Sequence, residues 1–111
     1  VPRCPHCGGP MEVHMAAGPT MVPDHGARHR FQRFLNQYHG KKLVVLELGI
    51  GWRNQLIKAP LMRLVDQEPN AIYITINLGE VYILDSIKDK SFGLDGSLKE
   101  ILSALRNVYE L

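Results

Sequence analysis

The sequence predicts an α/β protein, a partial Rossmann-like parallel sheet of about three strands with helices, preceded by half of a zinc-ribbon hairpin module. Three observations carry this expectation. The opening stretch is dense in proline and glycine around a single Cys-x-x-Cys pair. Two nearly unbroken apolar runs, residues 43–48 and 71–76, read as strands buried in a parallel sheet. Segments with apolar residues at helical spacing separate and follow them, and such alternation implies parallel strands joined by right-handed crossovers.

Residues 1–26 contain Pro2, Pro5, Gly8, Gly9, Pro10, Gly18, Pro19, Pro23 and Gly26, with only short runs such as Met11, Val13 and Met15 between them. That composition predicts tight turns joining small strands, a knuckle and hairpin. A connecting helix is expected over 27–39, with Phe31, Phe34, Leu35 and Tyr38 on one face and Gly40 as its left-handed stop. Residues 41–111 then read as the C-terminal half of a Rossmann-like domain. The run Leu43-Val44-Val45-Leu46-Glu47-Leu48 is apolar at almost every position, as in a strand buried on both faces, and leads into Gly49-Ile50-Gly51. A helix is expected to begin near Pro60, a residue suited to a first helical position, and to turn Leu61, Leu64 and Val65 inward. The second strand, residues 71–76, ends at Asn77. A short helical piece over 84–88 and a third strand over 92–94 follow. Ser97 and Glu100 form a capping box for the last helix, whose stripe of Leu98, Ile101, Leu102, Leu105, Val108 and Tyr109 is expected to be buried.

Composition sets limits on function. The 111 residues are 45% hydrophobic and 22% charged, ordinary for a soluble globular domain, and carry a formal charge of only +2. No stripe of Lys and Arg tracks a phosphate backbone, so nucleic acid is not expected as a partner. Arg28, His29, Arg30 and Arg33 read as a solvated helix face. No apolar run approaches the roughly 20 residues a membrane span needs, and nothing resembles a secretory signal. Two cysteines three positions apart suit a metal or redox role in a reducing compartment, so a cytoplasmic protein is expected.

Two groups of residues carry candidate chemistry. Cys4-Pro5-His6-Cys7-Gly8-Gly9 places two thiols on a tight turn, where both can reach one Zn²⁺ ion. A redox pair needs its first cysteine at a helix N-terminus, and Gly8-Gly9-Pro10 disfavours a helix start. A structural site takes four ligands. His6, His14, His25, His29 and His39 read as surface residues, so the other two ligands are expected upstream of Val1. The second group is a rim. Gly49-Ile50-Gly51 follows the first strand, Asn77 ends the second, and Asp95-Gly96-Ser97 ends the third at the head of a helix. Open α/β sheets bind ligands outside the carboxyl ends of their strands, where helix amides favour anionic groups.

In this order these elements resemble the sirtuin family, most closely its microbial branch encoded beside a macrodomain protein. The resemblance rests on RCPHCGG, LVVLELGIG, the strand ending Ile76-Asn77, and GSLKEIL. It runs the length of the chain but covers only the C-terminal part of such an enzyme. It implies that Cys4 and Cys7 are two of four zinc ligands and that the cofactor is NAD. Gly49, Ile50 and Gly51 would line its phosphate and ribose region. Asn77, with Leu78 beside it, would hydrogen-bond the adenine-side ribose, and Ser97 and Leu98 would flank the adenine. Deacylating members carry a hydroxyl residue where Gly51 stands, and their peptide-clamping segment is replaced here by MEVHMAAGPTMVPDHG. These departures favour protein ADP-ribosyl transfer over lysine deacylation; a non-enzymatic zinc and nucleotide module is the third reading. The family's Gly-rich first loop and catalytic His or Gln precede this region, so no catalytic residue is assigned and the chain alone is expected to be inactive. A protein substrate is implied, and a homodimer through the exposed sheet edge is expected.

Overall fold

Three strands, β1 (Leu43–Leu48), β2 (Ala71–Asn77) and β3 (Ser91–Asp95), pair in parallel in the order β1-β2-β3. The other elements among the described residues are α1 (His25–Tyr38), α2 (Gln55–Gln67), a 3-10 helix (Asp85–Lys90) and α3 (Leu98–Tyr109). The computed structural model describes residues 1–13 and 22–109, and the chain divides into two units, Val1–Arg33 and Phe34–Leu111. His14 and the Gly18-Pro19 turn lie outside the described residues.

In the first unit the knuckle is a tight turn held by backbone bonds. The Gly8 amide reaches the Cys4 carbonyl at 2.9 Å, the Cys4 amide reaches the Gly9 carbonyl at 2.8 Å, and Arg3 bridges Pro10 in antiparallel fashion. Helix α1 starts at His25, two residues earlier than expected. The reason is local: the Asp24 carboxylate accepts the Ala27 amide at 2.8 Å and so caps the first turn. Its stop is the expected one, with Gly40 left-handed at φ +73°.

The second unit has its main core cluster on one side of the sheet, with Ile76 buried on the other. Leu43, Ala71 and Tyr73 from the strands pack with Met62 and Val65 of α2 and Ile87 of the 3-10 helix. Helix α2 begins at Gln55, so Pro60 stands inside it rather than at its start. The ring removes the bond to the Leu56 carbonyl and crowds that group, but the buried stripe Lys58–Met62–Val65 holds the helix down. Leu61 and Leu64, expected inward, are only half-buried. The expectation that β1 is buried on both faces is corrected. Leu43 and Glu47 are buried, whereas Val44, Leu46 and Leu48 are exposed: on that face only the central strand is covered near the rim, where Ile76 is 2% exposed. The stripe of α3 is corrected for the same lack of cover. Its cap forms, with Ser97 Oγ accepting the Glu100 amide at 3.1 Å, but Leu102, Leu105, Val108 and Tyr109 face solvent.

Beyond the end of α1 a polar clasp secures the turn into β1. His39 Nδ1 lies 2.7 Å from Glu68 Oε1, the Gly40 amide donates to Glu68 Oε2 at 2.9 Å, and Lys90 donates to the Glu68 carbonyl at 2.9 Å. The hydrogen bond to Glu68, and then its charge, raises the His39 pKa; the same bond and the Gly40 amide lower that of Glu68. The raised imidazole contributes stability in full below its unfolded value of about 6.5 and loses it as pH rises through its folded value. The lowered carboxylate contributes above its unfolded value of about 4.3 and loses it as pH falls through its folded value. The clasp is therefore strongest between those limits. With His39 73% exposed, the effect is small. His39→Ala is expected to flatten the fall in melting temperature between pH 6 and 8; an unchanged pH profile would remove His39 as its source.

Candidate functional site

The carboxyl ends of the three strands gather the rim residues. Gly49 follows β1 with φ +69°, a conformation that suits glycine, and its amide donates to the Ile76 carbonyl at 2.8 Å. A Cβ on Gly49 would lie 3.5 Å from the Leu98 side chain, which puts the end of β1 against the start of α3. A Cβ on Gly51 would lie 3.5 Å from the Asn77 amide nitrogen and 3.4 Å from a Glu80 carboxylate oxygen. Gly51 thus faces the end of β2 across a gap that any larger residue would begin to fill. The loops after β2 and β3 are tied together by the Gly96 amide on the Asn77 carbonyl at 3.2 Å and the Gly79 amide on Asp95 Oδ1 at 2.7 Å. Ile50, Ser97 and Leu98 are half-buried along this edge, and Leu78 is exposed.

Two helices begin here. Helix α2 opens at Asn54, whose side chain makes no capping bond, so the first amides of α2 are not consumed by it. Helix α3 opens at Leu98 behind the Ser97 cap. Backbone amides, glycines without side chains and short polar groups on one edge suit a ligand carrying phosphates and hydroxyls. Asn77 differs from expectation in one respect. Its Nδ2 donates to the Glu80 carbonyl at 2.8 Å, so the side chain also closes the loop that follows β2.

Sequence reasoning missed the polar groups beneath this rim. Glu47, Lys58 and Thr75 are buried, with Lys58 Nζ bonded to Glu47 Oε1 and Thr75 Oγ1 donating to the same oxygen at 2.8 Å. Lys58 also donates to the Tyr73 hydroxyl at 3.1 Å. Burial pushes the Lys58 ammonium down, but its bonds to Glu47 and Tyr73 outweigh that and hold the pKa above its ordinary value. The one available signal was a glutamate inside an otherwise apolar run. A separate cavity of about 240 Å³ is lined by Trp52, Gln55, Ala59, Met62, Arg63, Asp66 and Leu84 and includes none of the predicted rim residues. Trp52 meets Tyr82 edge-on at 4.0 Å beside it.

In the knuckle, the amides of Cys7 and His6, followed by the Cys7 side chain, hold the Cys4 thiol below its ordinary pKa. That favours the thiolate a metal ion needs. Among the described residues no group of three or more His, Cys, Asp or Glu could hold a metal, so Cys4 and Cys7 do not by themselves complete a zinc site. Also among the described residues, no helix is long and apolar enough to cross a membrane.

No family model matches the chain. A curated relative from Staphylococcus aureus (strain Mu50), described as a protein ADP-ribosyltransferase, is 36% identical over 113 residues, 96% of this chain and 36% of that protein. The chain therefore spans about a third of the relative's length.

Proposed function

We propose that this chain is the C-terminal region of a sirtuin-like protein ADP-ribosyltransferase that uses NAD. The observation that carries the reading is the gathering of Gly49, Gly51, Asn77 and Ser97 where three parallel strands end and two helices begin. The similarity to a protein ADP-ribosyltransferase supports the same chemistry. NAD supplies a ribose whose bond to nicotinamide breaks as ADP-ribose passes to a protein acceptor. This chain's own part is to bind. Backbone at Gly49, Ile50 and Gly51 admits the phosphate and ribose region, Asn77 and Leu78 meet the adenine-side ribose, and Ser97 and Leu98 flank the adenine. No residue of the chain is assigned as general base. Nicotinamide release by the full-length protein supplied with NAD and an acceptor tests the reading, and absence of both NAD binding and release refutes it. The 111 residues alone are expected to release none.

Asn77→Ala in the full-length protein is expected to weaken NAD binding by about 1–2 kcal/mol, the scale of one lost polar contact in a desolvated site. Its bond to Glu80 adds a loosened loop to that loss. Calorimetric titration of the folded variant checks it, and unchanged affinity would reduce Asn77 to a strand terminator.

Cys4 and Cys7 are proposed as two ligands of a structural zinc whose other two come from outside the described residues. Elemental analysis of the full-length protein is the check, and a reduced, folded protein without zinc would rule it out. A cytoplasmic location, where thiols stay reduced, fits this use of cysteine.

A further inference from the structure

We infer that Glu47 and Lys58 are positioning residues for nucleotide binding: their buried ion pair sets the course of the loop 49–54 by fixing its two ends. The inference rests on the nucleotide reading above. Glu47 stands two residues before Gly49 and is 3% exposed; Lys58 stands one turn into α2 and is 1% exposed. Between them runs the loop that carries Gly49, Ile50 and Gly51. The loop is tied by the Gly49 amide on the Ile76 carbonyl, the Asn54 amide on the Gly51 carbonyl at 3.1 Å, the Gln55 side chain on the Trp52 carbonyl, and the Trp52 ring against Tyr82. Its hydrogen bonds sit at the strand end and the helix start, so apart from the Trp52 ring its placement follows from those two ends.

The pair is itself anchored. Thr75 and Tyr73, both fully buried in the central strand, hold Glu47 Oε1 and Lys58 Nζ respectively. Thr75 lies two residues before Asn77, so one network reaches both strand ends that form the rim. Stability does not account for this arrangement. Desolvating two charges offsets most of their attraction, and apolar residues of the same volume would hold helix to sheet as well. Glu47 Oε2 is buried with no hydrogen-bond partner among the described residues, which costs rather than adds stability. What the pair provides, and apolar packing does not, is direction, since hydrogen bonds fix angles that apolar side chains leave free to slide.

The test uses the full-length protein with NAD as probe. Glu47→Leu combined with Lys58→Met removes both charges and is expected to keep the melting temperature within a few degrees of wild type. Its dissociation constant and KM for NAD are expected to rise about tenfold or more, the scale of 1.4 kcal/mol. Glu47→Gln, which retains an acceptor for Thr75, is expected to raise both several-fold and serves as the readout if the double variant does not fold. A folded double variant, or in its absence a folded Glu47→Gln, that binds NAD as tightly as wild type overturns the positioning role alone. Wild-type protein that fails to bind NAD overturns the nucleotide reading, and the positioning role with it.

Discussion

Lys58→Ala is expected to cost the folded protein about 3–5 kcal/mol, the range found when one partner of a buried ion pair is removed. The side chain is 1% exposed and meets Glu47 and the Tyr73 hydroxyl, so truncation strands a carboxylate and loosens a phenol in a space water does not reach. Glu47 already has one oxygen without a partner, and the variant would leave its other oxygen with only the Thr75 hydroxyl. A domain of this size has a total stability of only about 5–15 kcal/mol, so the loss is a large share of it. Removing both charges together is a different experiment, because no uncompensated ion remains. Denaturant unfolding of the full-length variant gives the number, provided the slope against denaturant matches wild type. A loss below about 1 kcal/mol would mean that water reaches Glu47 and that the pair behaves like a surface one.

That network shows where sequence reasoning stops. A run such as LVVLEL announces a strand through its apolar positions, and β1 does span Leu43–Leu48. The same reading takes Glu47 for an interruption, because nothing local says that Lys58 will lie beside it. Lys58 also hid the start of α2. The buried stripe is Lys58, Met62 and Val65, and with its first member charged the apolar spacing becomes visible only near Pro60. Local chemistry fared better. Ser97 with Glu100 marks the start of α3, and Gly40 marks the stop of α1, because both signals are satisfied within one turn of the chain. The rim was legible as positions, since strand ends follow from strands. What Asn77 does with its amide was not, because its bond to Glu80 depends on the path of the loop. Burial was the least legible property. Apolar spacing reports that a face seeks cover, not whether the described residues contain the cover.

The uncovered face leads to the other large effect. Val44 pairs with Ile72, Leu46 with Ile74 and Ile74 with Phe92, and Leu48 with Ile76 and Ile76 with Leu94, so these side chains form rows on one side of the sheet. Val44 is 59%, Leu46 54% and Phe92 60% exposed, whereas Ile76 in the row nearest the rim is buried, and among the described residues both β1 and β3 are edge strands. A contiguous apolar face of this kind is unusual on a monomeric soluble protein, and unpaired strand edges beside it invite pairing with another chain. The isolated 111 residues are therefore expected to self-associate, as dimers or larger species, and to bind a hydrophobic dye. Leu46→Lys with Phe92→Lys, which places charges at both ends of the central row, is expected to shift the chain toward monomer in light scattering and to abolish the dye signal. In a longer protein of the kind proposed above the sign reverses. If other parts of the polypeptide cover this face, two buried side chains worth about 1.5–3 kcal/mol each are lost, and the same double variant is expected to destabilise the protein by about 3–6 kcal/mol. Full-length protein that tolerates both lysines without a change in melting temperature would show that the face stays open to solvent, and the self-association of the isolated chain would then need another surface.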